Sequence, residues 1–138
     1  MAMFKLSIVT PEKVFYDGDV TTLVVPGTEG YLGVLSNHAP LITALKPGRI
    51  EFRDADEKVK IVAVTKGFLE VSGNAATILC NAAEFADDID IERAQKAYER
   101  AKQKLGMSGE LNSNTKIMAE RDALERAENR IRIYKESH

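Results

Sequence analysis

Up to about Glu84 the apolar residues alternate with polar ones, and Gly or Pro interrupts the chain every ten residues or so. This is the period of a half-buried strand. Phe4, Leu6 and Ile8 fall on one face and Lys5 and Ser7 on the other, until Thr10-Pro11-Glu12 ends the run. Val14-Phe15-Tyr16 is a short apolar run, and Asp17-Gly18-Asp19 has the composition of a turn that stops it. Val20 to Val25 is a continuous β-branched run, as expected of a strand covered on both faces, and Pro26-Gly27 closes it. Thr28-Glu29-Gly30 turns the chain into the strand Tyr31 to Leu35, and Ser36-Asn37-His38-Ala39-Pro40 breaks it again. Leu41 to Leu45 follows, ended by Lys46-Pro47-Gly48. Arg49 to Arg53 alternates cleanly, and Asp54 to Glu57 makes a polar hairpin into Lys58 to Val64, where Val59, Ile61 and Ala63 share a face. Phe68 to Val71, the turn Ser72-Gly73-Asn74 and the run Ala75 to Cys80 complete eight to ten short strands, which predict a flattened β-sandwich or barrel.

The pattern changes over the stretch Asn81 to Ala94. Beyond it there is no Pro, Ala becomes common, and apolar residues recur at helical spacing. Asp87, Asp88 and Asp90 crowd this join, and any of them can cap a following helix, because a short carboxylate accepts from the unpaired N–H groups of a first turn. From Asp90 onward, Ile91, Ala94, Ala97 (or Tyr98), Ala101 and Leu105 make one stripe. Gly106-Met107-Ser108-Gly109 stops this helix and Asn112-Ser113-Asn114 offers a new N-cap. A second helix runs from about Thr115 to Tyr134, with Ile117, Leu124, Ala127, Ile131 and Tyr134 as its stripe. The short connection implies an antiparallel hairpin. The expected fold is α+β, with residues 1–84 as the sandwich and 85–138 as the two-helix hairpin. Facing alanines bury little area at about 25 cal/mol per Å², so the hairpin is marginal by itself.

Composition narrows the function. The net charge of −2 over 138 residues gives no bulk reason to bind nucleic acid or an anionic membrane. No apolar run approaches the roughly 20 residues of a membrane span, and the opening Met-Ala-Met-Phe-Lys-Leu-Ser-Ile has no signal-peptide apolar region. The single cysteine, Cys80, reads as a buried small hydrophobe in a cytoplasmic protein without disulfides. With only His38 and His138, no histidine-rich metal site can be built. His38, in its turn, is either a contact residue or a plain turn histidine. No P-loop and no nucleophile with a base is present, so nothing reads as an active site.

The arginines of the hairpin carry more information. Arg93 and Arg100 are seven apart on one helix, hence on one face, and Arg126 and Arg130 are four apart on the other. Counting outward from the connection puts Arg93 and Arg126 at similar height. Like charges at i and i+4 (Lys96 with Arg100, Arg126 with Arg130) cost a few tenths of a kcal/mol each. A polyphosphate between the helices would reverse that cost, since guanidinium forks match phosphate oxygens. The competing reading is a solvated charged face, with Glu92 near Lys96 and Asp122 near Arg126.

Several runs resemble the epsilon subunits of bacterial F-type ATP synthases: Gly27-Thr28-Glu29-Gly30-Tyr31-Leu32-Gly33-Val34-Leu35, then His38-Ala39-Pro40-Leu41, Lys46-Pro47-Gly48 and Gly67-Phe68-Leu69-Glu70-Val71. The likeness covers nearly the whole chain in order and spacing. It departs at Tyr31, where some members carry an acidic residue. The resemblance implies a non-catalytic rotor subunit of a proton-translocating complex, peripheral on the cytoplasmic side of the bacterial plasma membrane. Its implied partners are the gamma subunit of the central shaft, the c-subunit ring, and the catalytic alpha and beta subunits when the hairpin extends. Glu29, Tyr31 and His38 are the implied rotor contacts, with neither nucleic-acid binding nor membrane insertion. Ile89-Asp90-Ile91-Glu92-Arg93-Ala94 is similar to the Ile/Leu-Asp-x-x-Arg-Ala motif of epsilon subunits that bind ATP without hydrolysing it. That likeness implies ATP as a regulatory ligand, at Glu84, Ile89, Asp90, Arg93, Ala94, Arg100, Arg126 and Arg130. It also implies a hairpin that restrains ATP hydrolysis when extended. Two other classes stand beside this one: a free-standing ATP-sensing protein without a rotor, and a small β-sandwich enzyme.

Overall fold

A computed structural model describes residues 2–106 and 114–137. Nine strands precede two helices: β1 (Phe4–Val9), β2 (Val14–Gly27), β3 (Gly30–Leu35), β4 (Leu41–Leu45), β5 (Gly48–Asp54), β6 (Val59–Val64), β7 (Gly67–Ser72), β8 (Ala75–Cys80), β9 (Ala83–Phe85), α1 (Ile91–Gly106) and α2 (Asn114–Ser137), with a 3-10 turn at Ala86–Asp88. The chain divides into two compact units, one ending at Phe85 and the other starting at Ala86.

In the first unit the strands run in the order β1-β8-β7-β4-β2-β5-β6-β9, β3 lies on β2, and β1 also pairs with β2. That last pairing closes one side of the sheet into a flattened barrel. Among the described residues only β1 and β8 are parallel; the other pairings are antiparallel. The interior is apolar and mostly aliphatic: Leu6, Ile8, Val20, Val25, Ile50, Phe52, Val62, Leu69 and Ile78 are fully buried.

One local reading of the sequence is overturned by the strand pairing. Asp17-Gly18-Asp19 is not a turn but the middle of β2, a strand of 14 residues. It pairs with β1, placing Asp19 opposite Lys5 and Asp17 opposite Ser7, whose hydroxyl donates to Asp17 Oδ1 at 3.3 Å. Cross-strand partners of this kind supply what the composition lacks, and the Tyr16 ring lies over Gly18, where any Cβ would meet its hydroxyl at 2.9 Å. Burial of the Tyr16 ring, then the negative charges of Asp54, Asp19 and Asp17, raise its phenol pKa. A register shift between Val20 and Thr22 then allows Val20 and Leu23, three apart, both to face the core.

In β6 the face shared by Val59, Ile61 and Ala63 is not the one that meets the sandwich core, although Ala63 is itself buried. Val62 and Val64 face the core, while Val59 is exposed and Ile61 half-buried. The register with β5 decides this: Ile50 lies opposite Val62 and Phe52 opposite Lys60, so the inward face of β5 selects the even positions of β6. The hairpin between them is the polar one expected. Asp54 Oδ1 accepts from the N–H groups of Asp56 and Lys58 at 2.9 and 3.0 Å, and Glu57 takes a left-handed φ of 63°.

In the second unit Asp90 is the residue that caps α1. Its Oδ1 accepts from the Arg93 N–H at 3.1 Å while its carbonyl accepts from the Ala94 N–H at 3.0 Å. Such a cap is worth about 0.5–2 kcal/mol. Asp87 and Asp88 belong instead to the preceding 3-10 turn. Helix α1 buries Ala94 and Ala101 and half-buries Ile91, Ala97, Tyr98 and Leu105. In α2 Ala127 is buried, and Leu124, Ile131 and Tyr134 are half-buried. The most buried side chains of α2 also include Ile133 and Asn129, which the predicted stripe omits. This helix packs on both α1 and the 3-10 turn, so more than one of its faces is covered. The stop and start signals at Met107 to Ser113, and the Ile117 side chain, lie outside what is described.

Candidate functional site

The register of the hairpin follows from two contacts. Lys104 Nζ lies 3.4 Å from Glu120 Oε1. Gln95, Tyr98 and Glu99 share an open groove of about 840 Å³ with Glu128, Ile131, Arg132, Lys135 and Glu136. Residue numbers that face each other across α1 and α2 therefore sum to about 224–229, so Arg100 stands level with the turn of α2 that holds Arg126, and Arg93 level with positions beyond Arg130. The expectation that Arg93 and Arg126 share a height is corrected: the count took α2 to begin level with the end of α1, whereas Glu120, six positions into α2, is what meets Lys104.

Lateral position follows from helix geometry. At 100° per residue, Arg93 lies 100° behind the buried Ala94, and Arg100 lies 100° behind Ala101. Arg126 stands in the same relation to Ala127, and Arg130 lies 60° behind it. In an antiparallel pair, positions behind the contact residue on both helices fall on one flank, and positions ahead of it fall on the other. The groove supports this arrangement, because its residues Gln95 and Glu128 each follow a buried alanine. Arg93, Arg100, Lys104, Arg126 and Arg130 are thus gathered on one flank of the hairpin. Arg93, Arg100 and Arg126 are exposed and Arg130 is half-buried.

The other expected ligand positions are placed as follows. Ile89 and Ala94 are buried, at 6% and 0% exposure. The Asp90 carboxylate is occupied as the helix cap. Glu84 lies in the first unit, half-buried on β9 opposite Ala63. The expected rotor contacts do not form one patch. Glu29 sits in the two-residue turn before β3 and Tyr31 near the start of that strand, 57% exposed. His38 lies beyond the far end of β3, roughly a strand length of 17–20 Å away. There its Nδ1 is 2.8 Å from the Ala39 carbonyl. The turn holding it is pinned by Asn74, whose Oδ1 accepts from the Asn37 N–H at 2.8 Å.

Register reveals a surface that linear reading missed. Ala44, Phe68, Leu79 and Val9 are successive cross-strand neighbours on β4, β7, β8 and β1. They lie on the outer face, with Phe68 57% and Leu79 52% exposed. This row lines a groove of about 800 Å³ walled by Pro11, Pro47 and Thr28 and rimmed by Lys46 and Lys66. Ile42 adds a further apolar side chain on β4. Cys80 lines the same groove but is buried, and burial pushes its thiol up to about 11. Among the described residues no cluster of His, Cys, Asp or Glu suits a metal ion, and no helix is long and apolar enough to cross a membrane.

Comparison with known proteins accounts for both units together. Residues 3–86 match the ATP synthase Delta/Epsilon chain beta-sandwich domain, and residues 87–135 match its long alpha-helix domain. The chain belongs to the ATP synthase delta/epsilon chain family. It is 50% identical over 101 residues to the ATP synthase epsilon chain of Pelotomaculum thermopropionicum, covering 73% of this chain and 75% of that one. To the epsilon chain of Desulforamulus reducens it is 43% identical over 128 residues, 93% and 94% of the two chains. The fold superposes with a TM-score of 0.77 on a chain of the Euglena gracilis mitochondrial ATP synthase, at 24% identity, over 94% of this chain and 79% of that one. The family is a non-catalytic subunit, which sets aside the reading as a small β-sandwich enzyme.

Proposed function

We propose that this chain works in the central stalk of an F-type ATP synthase, holding the gamma shaft and the c ring through its sandwich and sensing ATP through its hairpin. Family membership supports the stalk role. For the grip on the shaft, the supporting feature is the outer row Val9, Ala44, Phe68 and Leu79, an apolar surface in a protein with ample polar residues to cover it. The c-ring contact falls to the end of the sandwich that carries Glu29 and Tyr31. By this reading the chain is peripheral, on the cytoplasmic side of a bacterial membrane.

The observation that carries the regulatory half is the gathering of Arg93, Arg100, Lys104, Arg126 and Arg130 on one flank of helices whose buried residues are largely alanine. Burial of Ala94, Ala101 and Ala127 gives the hairpin little to offset mutual repulsion of the exposed Arg93, Arg100 and Arg126, while Lys104 is paired with Glu120. A polyphosphate supplies charge-assisted hydrogen bonds and tips the balance toward the compact hairpin. ATP at its Kd adds only about 0.4 kcal/mol and at a hundredfold excess about 2.7. The response is therefore graded. When ATP falls, the helices separate and extend along the shaft toward the alpha and beta subunits, where they restrain hydrolysis.

Reconstitution with a catalytic assembly lacking this chain tests both halves. The unmodified chain should bind the gamma subunit and lower ATP hydrolysis most at low ATP. Phe68→Glu should weaken gamma binding more than tenfold while leaving the ATP response of the isolated chain intact. Inhibition that does not vary with ATP concentration would refute the sensing role, and undiminished gamma binding by Phe68→Glu would refute the docking face.

A further inference from the structure

We propose that the open edge of β3 is a strand-addition site, which takes an extended, uncharged segment of the gamma subunit and seats one of its apolar side chains over Gly33. The proposal rests on the stalk reading and adds a second, backbone-directed mode of contact to it. Among the described residues β3 pairs with β2 alone. In an antiparallel ladder, residues alternate between those that bond to the neighbouring strand and those whose N–H and C=O point away. Pro26 identifies which is which. It stands opposite Tyr31, has no N–H, and its carbonyl accepts from the Lys46 N–H at 2.9 Å, on the side away from β3. The pair Pro26–Tyr31 is therefore a non-bonded one. The bonded pairs are Gly27–Gly30, Val25–Leu32 and Leu23–Val34. Tyr31, Gly33 and Leu35 turn their N–H and C=O groups to the open edge. The Leu35 carbonyl is already taken by the His38 N–H at 3.2 Å, which marks where an added strand must end.

This edge lacks the devices that keep sheet edges from pairing. It carries no charged side chain and no proline, and its register with β2 is unbroken from Gly30 to Leu35. Its outward side chains complete the site. Tyr31 and Leu35 are 57% and 60% exposed, and between them a Cβ at Gly33 would meet nothing within 4 Å. A gap one side chain wide, bracketed by two apolar groups, suits a bulky apolar residue from an incoming strand, as when an aromatic covers an edge glycine. Main-chain bonds then give affinity and the gap gives specificity. Gamma is favoured over a second copy of this chain because the start of β3 adjoins the proposed docking face, Thr28 lining the apolar groove.

Amide hydrogen exchange on the unmodified chain, alone and bound to purified gamma subunit, tests this directly. In the free chain Leu32 and Val34 should exchange slowly and Tyr31 and Gly33 rapidly. On binding, Tyr31 and Gly33 should slow at least tenfold. Gly33→Pro removes an outward N–H without touching the ladder to β2, so it should weaken gamma binding at least tenfold with the thermal midpoint of the sandwich retained. Unchanged exchange at Tyr31 and Gly33 in a complex that Phe68→Glu disrupts would overturn the strand-addition site and leave the docking face standing. Protection of the same amides in the chain alone, rising with its concentration, would assign the edge to a second copy and also overturn the proposal. Failure of the unmodified chain to bind gamma would remove the stalk reading and this site together.

Discussion

The two-tier arrangement of arginines makes a quantitative prediction about ATP binding. Along a helix axis at about 1.5 Å per residue, Arg100 and Arg126 are offset by at most about 5 Å, while Arg93 and Arg126 are offset by about 8–15 Å. Removal of one guanidinium that bonds a phosphate should cost about 1.5–3 kcal/mol, or about 10- to 150-fold in Kd. Arg100→Ala, Arg126→Ala and their double variant form one cycle; Arg93→Ala, Arg126→Ala and their double variant form another. Side chains that share a ligand group couple by about 0.5–3 kcal/mol, whereas sites beyond about 7–10 Å add to within about 0.5. Calorimetric titration of each chain with ATP should therefore give strong coupling in the first cycle and near-additivity in the second. Each variant also relieves repulsion in the unliganded hairpin, so its thermal midpoint without ATP should hold or rise while its affinity falls. Equal coupling in both cycles would refute the register. An unmodified chain that gives neither heat nor a thermal shift at millimolar ATP would return the arginines to a solvated face.

Two further predictions concern the sandwich. Gly67→Ala would place its Cβ 2.0 Å from the Leu79 carbonyl oxygen and 3.0 Å from the Cys80 Cα, both backbone, so β7 and β8 must separate. A cost of about 1–3 kcal/mol should lower the midpoint of this unit by about 4–8 °C per kcal/mol, and a midpoint within 2 °C, about the precision of a scan, would refute the close approach. Cys80, with its thiol raised from 9.0 to about 11 by burial, should alkylate slowly at pH 8, with a rate rising about tenfold per pH unit to near pH 10. The folded state holds this proton more tightly than the unfolded one, so stability falls as pH rises from about 9 through 11; a labelling rate that levels off near pH 8.5 would show the thiol to be solvated.

Much of the fold was legible because short-range physics determines it. Period-two alternation marks strands, Ala-rich helical spacing marks α1 and α2, and Asp90 is a cap in sequence and structure alike. The Ile89 to Ala94 run and the paired arginines also mark the candidate site in the sequence itself. What the sequence could not decide depends on partners far along the chain. Asp17-Gly18-Asp19 reads as a turn until β1 supplies Lys5 and Ser7 opposite it. The sequence puts Val59, Ile61 and Ala63 on one face, and it is Ile50 and Phe52 that assign the core to the other. The level of Arg126 against Arg100 rests on the offset between two helices, which no count along one of them contains. The apolar row across β4, β7, β8 and β1, and the unbonded edge of β3, exist only once register is set. Patterns within an element repeat over two to four residues and are written locally; pairing between elements is a choice among alternatives that only the closed sheet and the packed hairpin resolve.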